Sequence, residues 1–369
     1  MSTAGTTTAP GGTTATAVMP SAVLHEVGDL RIGEQPVPQP GPGEVLIRVA
    51  VCGVCGSDAT EFGRELVLAR PPVALGHEFA GIVEAVGEGV TAPPVGAVVV
   101  SGAGISCGEC KPCRQGRTNL CRSYSTLGFA HDGGLAGYVV SPAAITLDVT
   151  ETGLPLDTLG LTQPMAIAVH AVRRSGLSAG DDAVIVGVGG IGAFITVAAA
   201  ATGARVLVVD LNDDRLELAS RLGAAETLKA GTTPLAERLD ELGMDVDVFF
   251  EVSGSAPGLA SVLDAAKPGA TIVPVGIQRG EPALPLGRWT LSEYTILGTV
   301  AHVFRDDFPE AVRLLGTRDD WSDIAGEVIP LDAVATDALQ PLLEGRSTQI
   351  KTLVDPWATE ARAAVHARG

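Results

Sequence analysis

The feature that most limits the possible folds is the segment DAVIVGVGGIGAFITVAAAATGARVLVVD, which begins at Asp182. An apolar strand runs into four glycines, Gly187, Gly189, Gly190 and Gly192. An alanine-rich stretch with a strong tendency to form a helix follows them. Gly187 permits a tight turn, Gly189 lets the backbone approach a pyrophosphate, and Gly192 lets the helix pack closely on the strand. This order of strand, glycine turn and helix predicts a dinucleotide-binding unit within a parallel sheet.

An acidic residue at the end of the second strand indicates which dinucleotide binds. Asp210 closes the strand RVLVVD, eighteen residues after Gly192. A carboxylate at this place accepts hydrogen bonds from the ribose hydroxyls and repels a 2′-phosphate, so the sequence predicts NAD and not NADP. Arg215 either lies against the adenine or is a solvated helix charge. Val275 and Gly276, at the end of ATIVPVG, are also predicted to bind the cofactor.

The texture of the chain predicts an α/β protein with two domains. Residues 19–168 are rich in Gly, Pro and Val with short strand-like runs, which indicates a β-rich, barrel-like unit. After Asp181, apolar strands alternate with helical stretches, as in a doubly wound parallel sheet. Beyond Arg305 a helix and the runs VIPLDAV and IKTLVDP indicate a return to the first unit. We expect domains at 19–170 with 305–369 and at 171–304.

Four cysteines fall within fifteen residues, in the stretch CGECKPCRQGRTNLC. The spacing C-x2-C-x2-C-x7-C suits a tetrahedral metal, because four thiolates about 2.3 Å from zinc close a site with no open position. The alternative of two disulfides is disfavoured because a cytosolic protein keeps its thiols reduced. We predict a structural zinc in a lobe of about residues 104–122, held by Cys107, Cys110, Cys113 and Cys121.

Composition excludes several other classes of protein. The chain has 369 residues, 46% hydrophobic and 18% charged, which suits globular domains. Its net charge is −18 and its basic residues are scattered, so nucleic acid and anionic membranes are not expected partners. No run approaches the ~20 apolar residues of a membrane span. Residues 1–18 lack the basic and apolar regions of a signal peptide, so we predict a disordered tail and a cytoplasmic protein.

A second, sparser set of metal-ligand residues lies upstream, in the stretches VCGVCGSD and LGHEFAG. Together they supply a thiolate, an imidazole and a carboxylate, from Cys55, His77 and Glu78. A zinc held by three protein ligands keeps a position for water or substrate and can polarise a bound alcohol. With NAD as the hydride acceptor, this combination predicts oxidation of an alcohol. Cys52 is interpreted as a small buried hydrophobic residue.

The motifs CGSD, GHEFAG, HDGGLAGYVV, QPMAIAVHA, GVGGIG and DFPEAVRLL, together with the four-cysteine lobe, follow in order between about Ala22 and Asp355. In this the chain resembles the zinc-dependent medium-chain dehydrogenases of the alcohol, polyol and butanediol branch. The resemblance implies a GroES-like catalytic domain, a Rossmann domain and a homo-oligomer, either tetramer or dimer. It also implies two zinc ions per chain, with the catalytic one held by Cys55, His77 and Glu78.

The resemblance further implies roles around that catalytic zinc. Ser57 would pass the substrate proton to the nicotinamide ribose, and Asp58 would orient His77. Gln163 stands where many relatives carry glutamate, and either coordinates the zinc or binds its water. Lys351 matches a basic residue that approaches Glu78 from behind the metal, so we predict that the two side chains pair whenever the carboxylate leaves the zinc.

Besides Gln163, three positions depart from the family pattern. Thr60 stands where relatives often carry a histidine that shuttles the proton out, and threonine does not titrate near neutral pH. Ala301 replaces an arginine of the sorbitol-type relatives, and His302 replaces an aromatic residue. His302 is interpreted either as a substrate-pocket residue or, preferably, as a partly exposed imidazole at a strand end.

The sequence therefore predicts NAD-dependent oxidation of a secondary alcohol, a vicinal diol or small polyol, to a ketone, with the reverse reduction equally allowed. One alternative is an aldose dehydrogenase, to which Gln163 gives support. Another is a non-catalytic, zinc-braced regulatory protein. The intact set of Cys55, His77, Glu78 and Ser57 argues against that second alternative.

Overall fold

The computed structural model of the protein describes residues 17–278 and 280–368. Its strands, in chain order, are β1 (Val18–Glu26), β2 (Asp29–Pro36), β3 (Glu44–Val54), β4 (Val73–Ala74), β5 (Glu78–Val86), β6 (Val98–Ser101), β7 (Gly104–Ile105), β8 (Ser125–Thr126), β9 (Tyr138–Pro142), β10 (Thr146–Asp148), β11 (Asp182–Val186), β12 (Arg205–Asp210), β13 (Glu226–Lys229), β14 (Val246–Glu251), β15 (Thr271–Pro274), β16 (Thr295–Ile296), β17 (Glu327–Pro330), β18 (Thr352–Asp355) and β19 (Arg362–Ala363).

The α-helices of the described residues are α1 (Gly56–Gly63), α2 (Lys111–Arg114), α3 (Leu156–Leu159), α4 (Thr162–Ser175), α5 (Gly192–Ala201), α6 (Asp213–Arg221), α7 (Leu235–Leu242), α8 (Ala256–Ala265), α9 (Leu286–Ser292), α10 (Phe304–Leu315) and α11 (Gln340–Glu344). A short 3-10 helix at Thr118–Leu120 belongs to the cysteine-rich segment. Within the described ranges, no helix is long and apolar enough to cross a membrane.

A parallel sheet with the strand order β13-β12-β11-β14-β15-β16 occupies the middle of the chain. Its central strand β11 is apolar and fully buried at Ala183, Val184 and Ile185, as a strand covered on both faces must be. The chain runs outward from β11 through β12 and β13 and then returns to β14 on the other side of β11. This reversal opens a crevice at the carboxyl ends of β11 and β14, where ligands of such sheets bind.

The second large sheet has the order β10-β6-β5-β3-β18-β17-β19, with β9 also paired to β3. β3 is its central strand, and pairs antiparallel with β5, β9 and β18. Because β18 comes from the end of the chain, the C-terminal segment returns to the sheet that the N-terminal segment forms. The predicted α/β fold class, a GroES-like unit plus a Rossmann-type parallel sheet, is confirmed.

The predicted segment boundaries differ from the structure in detail. Residues 1–16 of the expected tail lie outside the described residues, but Val18 already pairs with Pro36 in the β1–β2 hairpin, so a tail ending at residue 18 is too long. The boundaries at 170/171 and 304/305 fall inside α4 and α10, which share one apolar core. We propose that these two helices join the domains and that neither ends at a domain boundary.

Candidate active site

Strand register brings three potential metal ligands to one place. Cys55 follows β3 and caps the N-terminus of α1, while His77 and Glu78 stand at the start of β5. β3 and β5 pair with Gly53 opposite Glu78, so the end of one strand meets the beginning of the other. Ligand atoms of Cys55, His77 and Glu78 all lie within 4.8 Å of one another. A thiol, an imidazole and a carboxylate at this spacing fit zinc.

The carboxylate of Asp58 contacts two of these three residues. Asp58 accepts the backbone N–H of Cys55 at Oδ2, at 2.9 Å, and its Oδ1 lies 3.3 Å from Nδ1 of His77. This arrangement favours a proton on Nδ1 and leaves Nε2 free as a ligand atom. Burial lowers the pKa of His77, but the charges of Asp58 and Cys55 outweigh burial and raise that pKa well above its usual value. The local field therefore favours a cation at this place.

Lys351 and Glu78 form a buried ion pair behind the cluster. Nζ of Lys351 donates to Oε1 of Glu78 at 2.9 Å and lies 2.7 Å from Oε2, where the contact lacks hydrogen-bond geometry. Burial lowers the pKa of Lys351, but Glu78, Cys55 and Asp58 together outweigh burial and raise that pKa, so the ammonium stays charged. The structure thus contains the predicted pair, in the form that leaves one carboxylate oxygen without a hydrogen bond.

The cluster opens into a cleft of about 750 Å³ between the two sheets. Its polar lining includes Ser57 and Gln163, and its cofactor-side lining includes Val275 and Gly276. The remaining wall is largely apolar, formed by side chains that include Leu68, Phe129, Ile167, Val300 and Leu342. The structure therefore places Ser57 and Gln163 in the same cleft as the metal-ligand cluster, and an alcohol there would contact mainly apolar groups.

His302 also lines the cleft, and its predicted partial exposure is wrong. The side chain is buried, with 4% of the residue exposed, because it packs against Phe308 with ring centroids 4.8 Å apart. Its Nε2 lies 2.9 Å from the carbonyl oxygen of Gly102, which makes Nε2 the donor and Nδ1 the acceptor. Burial lowers the pKa of His302 to about 4, so the ring is neutral at neutral pH.

A second cavity of about 910 Å³ lies at the carboxyl end of the parallel sheet and shares Gly189 and Val252 with the cleft. Gly187 has a φ of 100°, and a Cβ on Gly192 would lie 1.9 Å from the Gly187 carbonyl oxygen. A Cβ on Gly189 would meet no protein atom within 4 Å and would project into open space. The glycine turn is therefore an open cradle, which fits a pyrophosphate at the start of α5.

Asp210 stands at the edge of this cavity with its carboxylate fixed by the backbone. Oδ2 accepts the N–H of Val188 at 2.7 Å, and Oδ1 accepts the N–H of Asn212 at 3.0 Å. Arg215, in the first turn of α6, lines the same cavity. Asp210 and Arg215 are thus brought together around the space that an adenosine would occupy, and Asp210 keeps lone pairs for ribose hydroxyls.

The four-cysteine lobe is closed at its base by the β7–β8 pair. Sulfur ligands of Cys107, Cys110, Cys113 and Cys121 lie within 4.8 Å of one another, and all are free thiols. The N–H of Cys107 points at the Cys121 sulfur at 3.2 Å, and the N–H of Cys110 points at the Cys107 sulfur at 3.4 Å. The N–H of Arg122, together with the N–H of Cys113 and the neighbouring thiols, lowers the pKa of Cys110 to about 6. Four converging sulfurs that accept N–H groups fit a tetrahedral zinc.

Sequence reasoning missed several residues of the site. Phe129 packs against His77, with ring centroids 4.9 Å apart, and Tyr124 fills the cleft beside Gly104, where burial raises its pKa to about 12. Asn119 of the cysteine lobe binds the carbonyl of Val300 in the cleft wall. No local pattern marks these positions, since each contact joins segments distant in the chain.

Known proteins match almost the whole length of this arrangement. Residues 41–151 match the family described as alcohol dehydrogenase GroES-like domain, and residues 190–317 match zinc-binding dehydrogenase. D-xylulose reductase A from Aspergillus niger is 31% identical over 294 residues, which cover 76% of this chain and 81% of the relative.

Solved structures agree. The structure of 2R,3R-butanediol dehydrogenase from Bacillus subtilis has 30% identity and a TM-score of 0.83, covering 92% of this chain and 99% of that chain. A protein from Sinorhizobium meliloti 1021, solved with bound NADP, has 29% identity and a TM-score of 0.84, covering 92% of this chain and 100% of that chain. The two solved structures share the fold of this chain, and the two named enzymes, D-xylulose reductase and butanediol dehydrogenase, differ in substrate.

Proposed function

Because the chain belongs to the zinc-dependent medium-chain dehydrogenase/reductase family, we propose that it oxidises a secondary alcohol to a ketone with NAD as hydride acceptor, and catalyses the reverse reduction. The observation that carries the proposal is that the two cavities lie next to each other and share part of their walls. The cleft with Cys55, His77 and Glu78 shares Gly189 and Val252 with the cavity of the glycine turn. An alcohol beside the metal ligands would therefore face a nicotinamide that enters from that turn.

When bound, zinc supplies a Lewis acid that lowers the pKa of an alcohol hydroxyl, and NAD supplies the hydride acceptor. The chain's own residues prepare the place for both. Asp58 accepts the Cys55 backbone N–H and lies against the His77 ring, which positions these two ligands, and Lys351 neutralises Glu78 when the carboxylate is off the metal. Ser57 lines the cleft, one residue before Asp58. We propose that its hydroxyl accepts the proton of the substrate hydroxyl and passes it to the nicotinamide ribose.

We propose two zinc ions per chain, one at each cysteine-containing cluster. Cys55, His77 and Glu78 carry formal charges that sum to −2 with both the thiol and the carboxylate ionised, which balances Zn²⁺. Gln163 lines the same cleft as a neutral amide, as a ligand or as the partner of a water molecule. The lobe cysteines have no open position and would brace the fold.

The cleft favours small substrates with few hydroxyl groups. Apolar side chains form most of its wall, and Ala301 offers no donor where an arginine would hold a polyol. A vicinal diol or small polyol satisfies both features, since one hydroxyl meets the metal cluster and another meets a neighbouring polar group. The names of the relatives support this class, because butanediol is a vicinal diol and reduction of D-xylulose is the reverse of polyol oxidation.

Asp210 supports NAD over NADP. Its carboxylate borders the adenosine side of the cavity, where the negative charge of a 2′-phosphate would be repelled. The Sinorhizobium meliloti protein contains NADP, so the fold itself does not exclude NADP, and side chains such as Asp210 must make the choice in this chain.

An aldose dehydrogenase is the second candidate, because a neutral Gln163 at the metal site suits either chemistry. A panel of 2,3-butanediol, xylitol, sorbitol and glucose with NAD, at mildly alkaline pH, separates the two. We expect reduction of NAD to be fastest with the diol, with a ketone as product. Fastest turnover with glucose, with a lactone as product, would favour the aldose reaction, and the absence of turnover with every compound would favour a regulatory role.

We also propose that the protein forms a homo-oligomer and works in the cytoplasm. The edge strand β16 is exposed, and α9 beside it carries Leu286 and Leu291, which are 66% and 88% exposed. An open strand edge next to apolar side chains supports pairing with a second copy of the chain. The cluster of four free thiols suits the reducing cytoplasm.

A further inference from the structure

The cleft wall at 300–303 holds a strained backbone. Ala301 has a φ of 50°, in the left-handed region that non-glycine residues rarely adopt. Such a conformation costs free energy and persists only where the surroundings hold it in place. Val300, Ala301 and His302 all line the substrate cleft, so the strain lies on the surface that an alcohol would touch.

Three hydrogen bonds join this wall to Asn119, Gly102 and Asp307. The side-chain amide of Asn119 donates to the Val300 carbonyl at 2.8 Å, and Nε2 of His302 donates to the Gly102 carbonyl at 2.9 Å. The N–H of Val303 donates to Oδ2 of Asp307 at 2.6 Å. The strained residue therefore lies between two backbone anchors, one at each side, with the His302 ring as a third.

The two backbone anchors are themselves connected. Asn119 has a second amide proton, which points at Nε2 of His170 at 3.3 Å, and Nδ1 of His170 lies 2.8 Å from the same Asp307 oxygen that accepts Val303. Asp307 is fully buried, and Arg173 donates to its other oxygen at 2.9 Å. Burial raises the pKa of Asp307, but these hydrogen bonds outweigh burial and lower it, so the carboxylate remains an acceptor.

We propose that Asn119 is a positioning residue for the substrate, which it serves by holding the strained wall at Ala301 in place from the cysteine-rich lobe. Without the Asn119 amide, the hydrogen bond to the Val300 carbonyl is lost. Ala301 then relaxes to a negative φ, and the side chains of the wall shift within the cleft. The consequence is weaker binding of the alcohol with little change in the chemical step. This inference rests on the proposed function for its substrate and on contacts alone for its mechanism.

The proposal predicts a specific rescue. Glycine adopts a positive φ without steric cost, so a glycine at position 301 would keep the wall in place even when Asn119 is replaced. If Asn119 served only to attach the lobe to α4 through His170, a change at position 301 would restore nothing.

The kinetic test compares the parent with Asn119→Ala, Ala301→Gly, the double variant and the control Thr118→Ala, all with 2,3-butanediol and NAD. We expect Asn119→Ala to raise KM about tenfold with kcat within about threefold, and Thr118→Ala to leave KM within about twofold. The KM of the double variant should lie within about threefold of that of Ala301→Gly. A parent-like KM in Asn119→Ala, or no recovery in the double variant, would overturn the proposal.

Hydrogen exchange of the segment 298–304 provides a readout that needs no turnover. We expect exchange of the Val303 amide to accelerate at least about tenfold in Asn119→Ala and to be protected again in the double variant. Zinc content should stay equal to that of the parent. Unchanged exchange in Asn119→Ala would overturn the proposal. A parent that fails to oxidise the diol would contradict the proposed function and leave this second measurement to decide the positioning role.

Discussion

Lys351 and Glu78 meet beside Gly53 of β3, the central strand of the larger sheet. The lysine comes from the residue before β18, the carboxylate from the start of β5, and Gly53 of β3 pairs with both strands. A Cβ on Gly53 would lie 2.5 Å from Oε2 of Glu78 and 3.4 Å from Cδ of Lys351. The glycine therefore leaves the space in which a buried ion pair can stand behind the metal ligands.

Replacing Lys351 by methionine should destabilise the metal-free protein far more than the zinc-loaded one. Without a counter-charge, the buried Glu78 carboxylate costs about 3 kcal/mol of the free energy of unfolding, and a bound cation would compensate for much of that cost. Urea unfolding with and without a chelator measures both values. The control Lys267→Met removes an exposed lysine and should change stability by less than about 0.5 kcal/mol. Equal losses in the two lysine variants would contradict the role of the pair.

Metal analysis should return two zinc ions per chain, and two serine substitutions should remove different ones. Cys110→Ser should lose the lobe zinc together with much of the stability, because that metal closes a lobe that has little core of its own. Cys55→Ser should lose the other zinc and turnover, with a much smaller change in unfolding midpoint. Cys52→Ala, which alters a buried cysteine outside both clusters, should retain both ions. One ion in a fully active parent would refute the assignment.

NAD should be preferred to NADP by at least about a hundredfold in kcat/KM, because Asp210 repels the 2′-phosphate. Asp210→Asn should narrow the preference to about tenfold or less. The asparagine oxygen can still accept one of the two N–H groups that Asp210 binds, so the turn should survive. The control Asp213→Asn alters an exposed carboxylate at the start of α6 and should keep the preference. Equal use of both cofactors by the parent would show that Asp210 does not select.

His302 should leave no mark on the pH dependence of kcat between about pH 6 and 8. Burial lowers its pKa to about 4, so the ring is neutral throughout this window and neither gains nor loses a proton. Glutamine keeps an N–H donor for the Gly102 carbonyl, so the profile of His302→Gln should have the same apparent pKa as that of the parent. An inflection that is present in the pH profile of the parent and absent in the variant, with about a tenfold loss of kcat, would contradict this. It would identify His302 as the group that releases the proton, in the role that a histidine at position 60 has in many relatives.

Local signals in the sequence predicted the features that depend on neighbours in the chain. The glycine spacing around Gly189 and the cysteine spacing of the lobe each describe one turn or loop, so residue type and distance along the chain were sufficient. Lys351 was predicted only through the family resemblance, because its contact with Glu78 depends on the register of three strands.

Contacts between distant segments could not be predicted in this way. Asn119 reaches Val300 across 181 positions, and nothing in the stretch RTNLC indicates that partner. His302 was expected to be partly exposed because a strand end usually is, yet Phe308 and Gly102 enclose it. The run YTILGTV has the pattern of a full strand, but only Thr295 and Ile296 pair with β15. This strand lies at the edge of the sheet, where strands are often short.

Transfer of deuterium tests the central claim most directly. 2,3-Butanediol that carries deuterium at both carbinol carbons is incubated with NAD and the zinc-loaded enzyme, and the reduced cofactor and the product are analysed by mass spectrometry. The account predicts one deuterium in NADH for each acetoin formed, and none with Cys55→Ser. Acetoin without deuterium in the cofactor, or reduction of NAD that continues undiminished in Cys55→Ser, would contradict hydride transfer at this site.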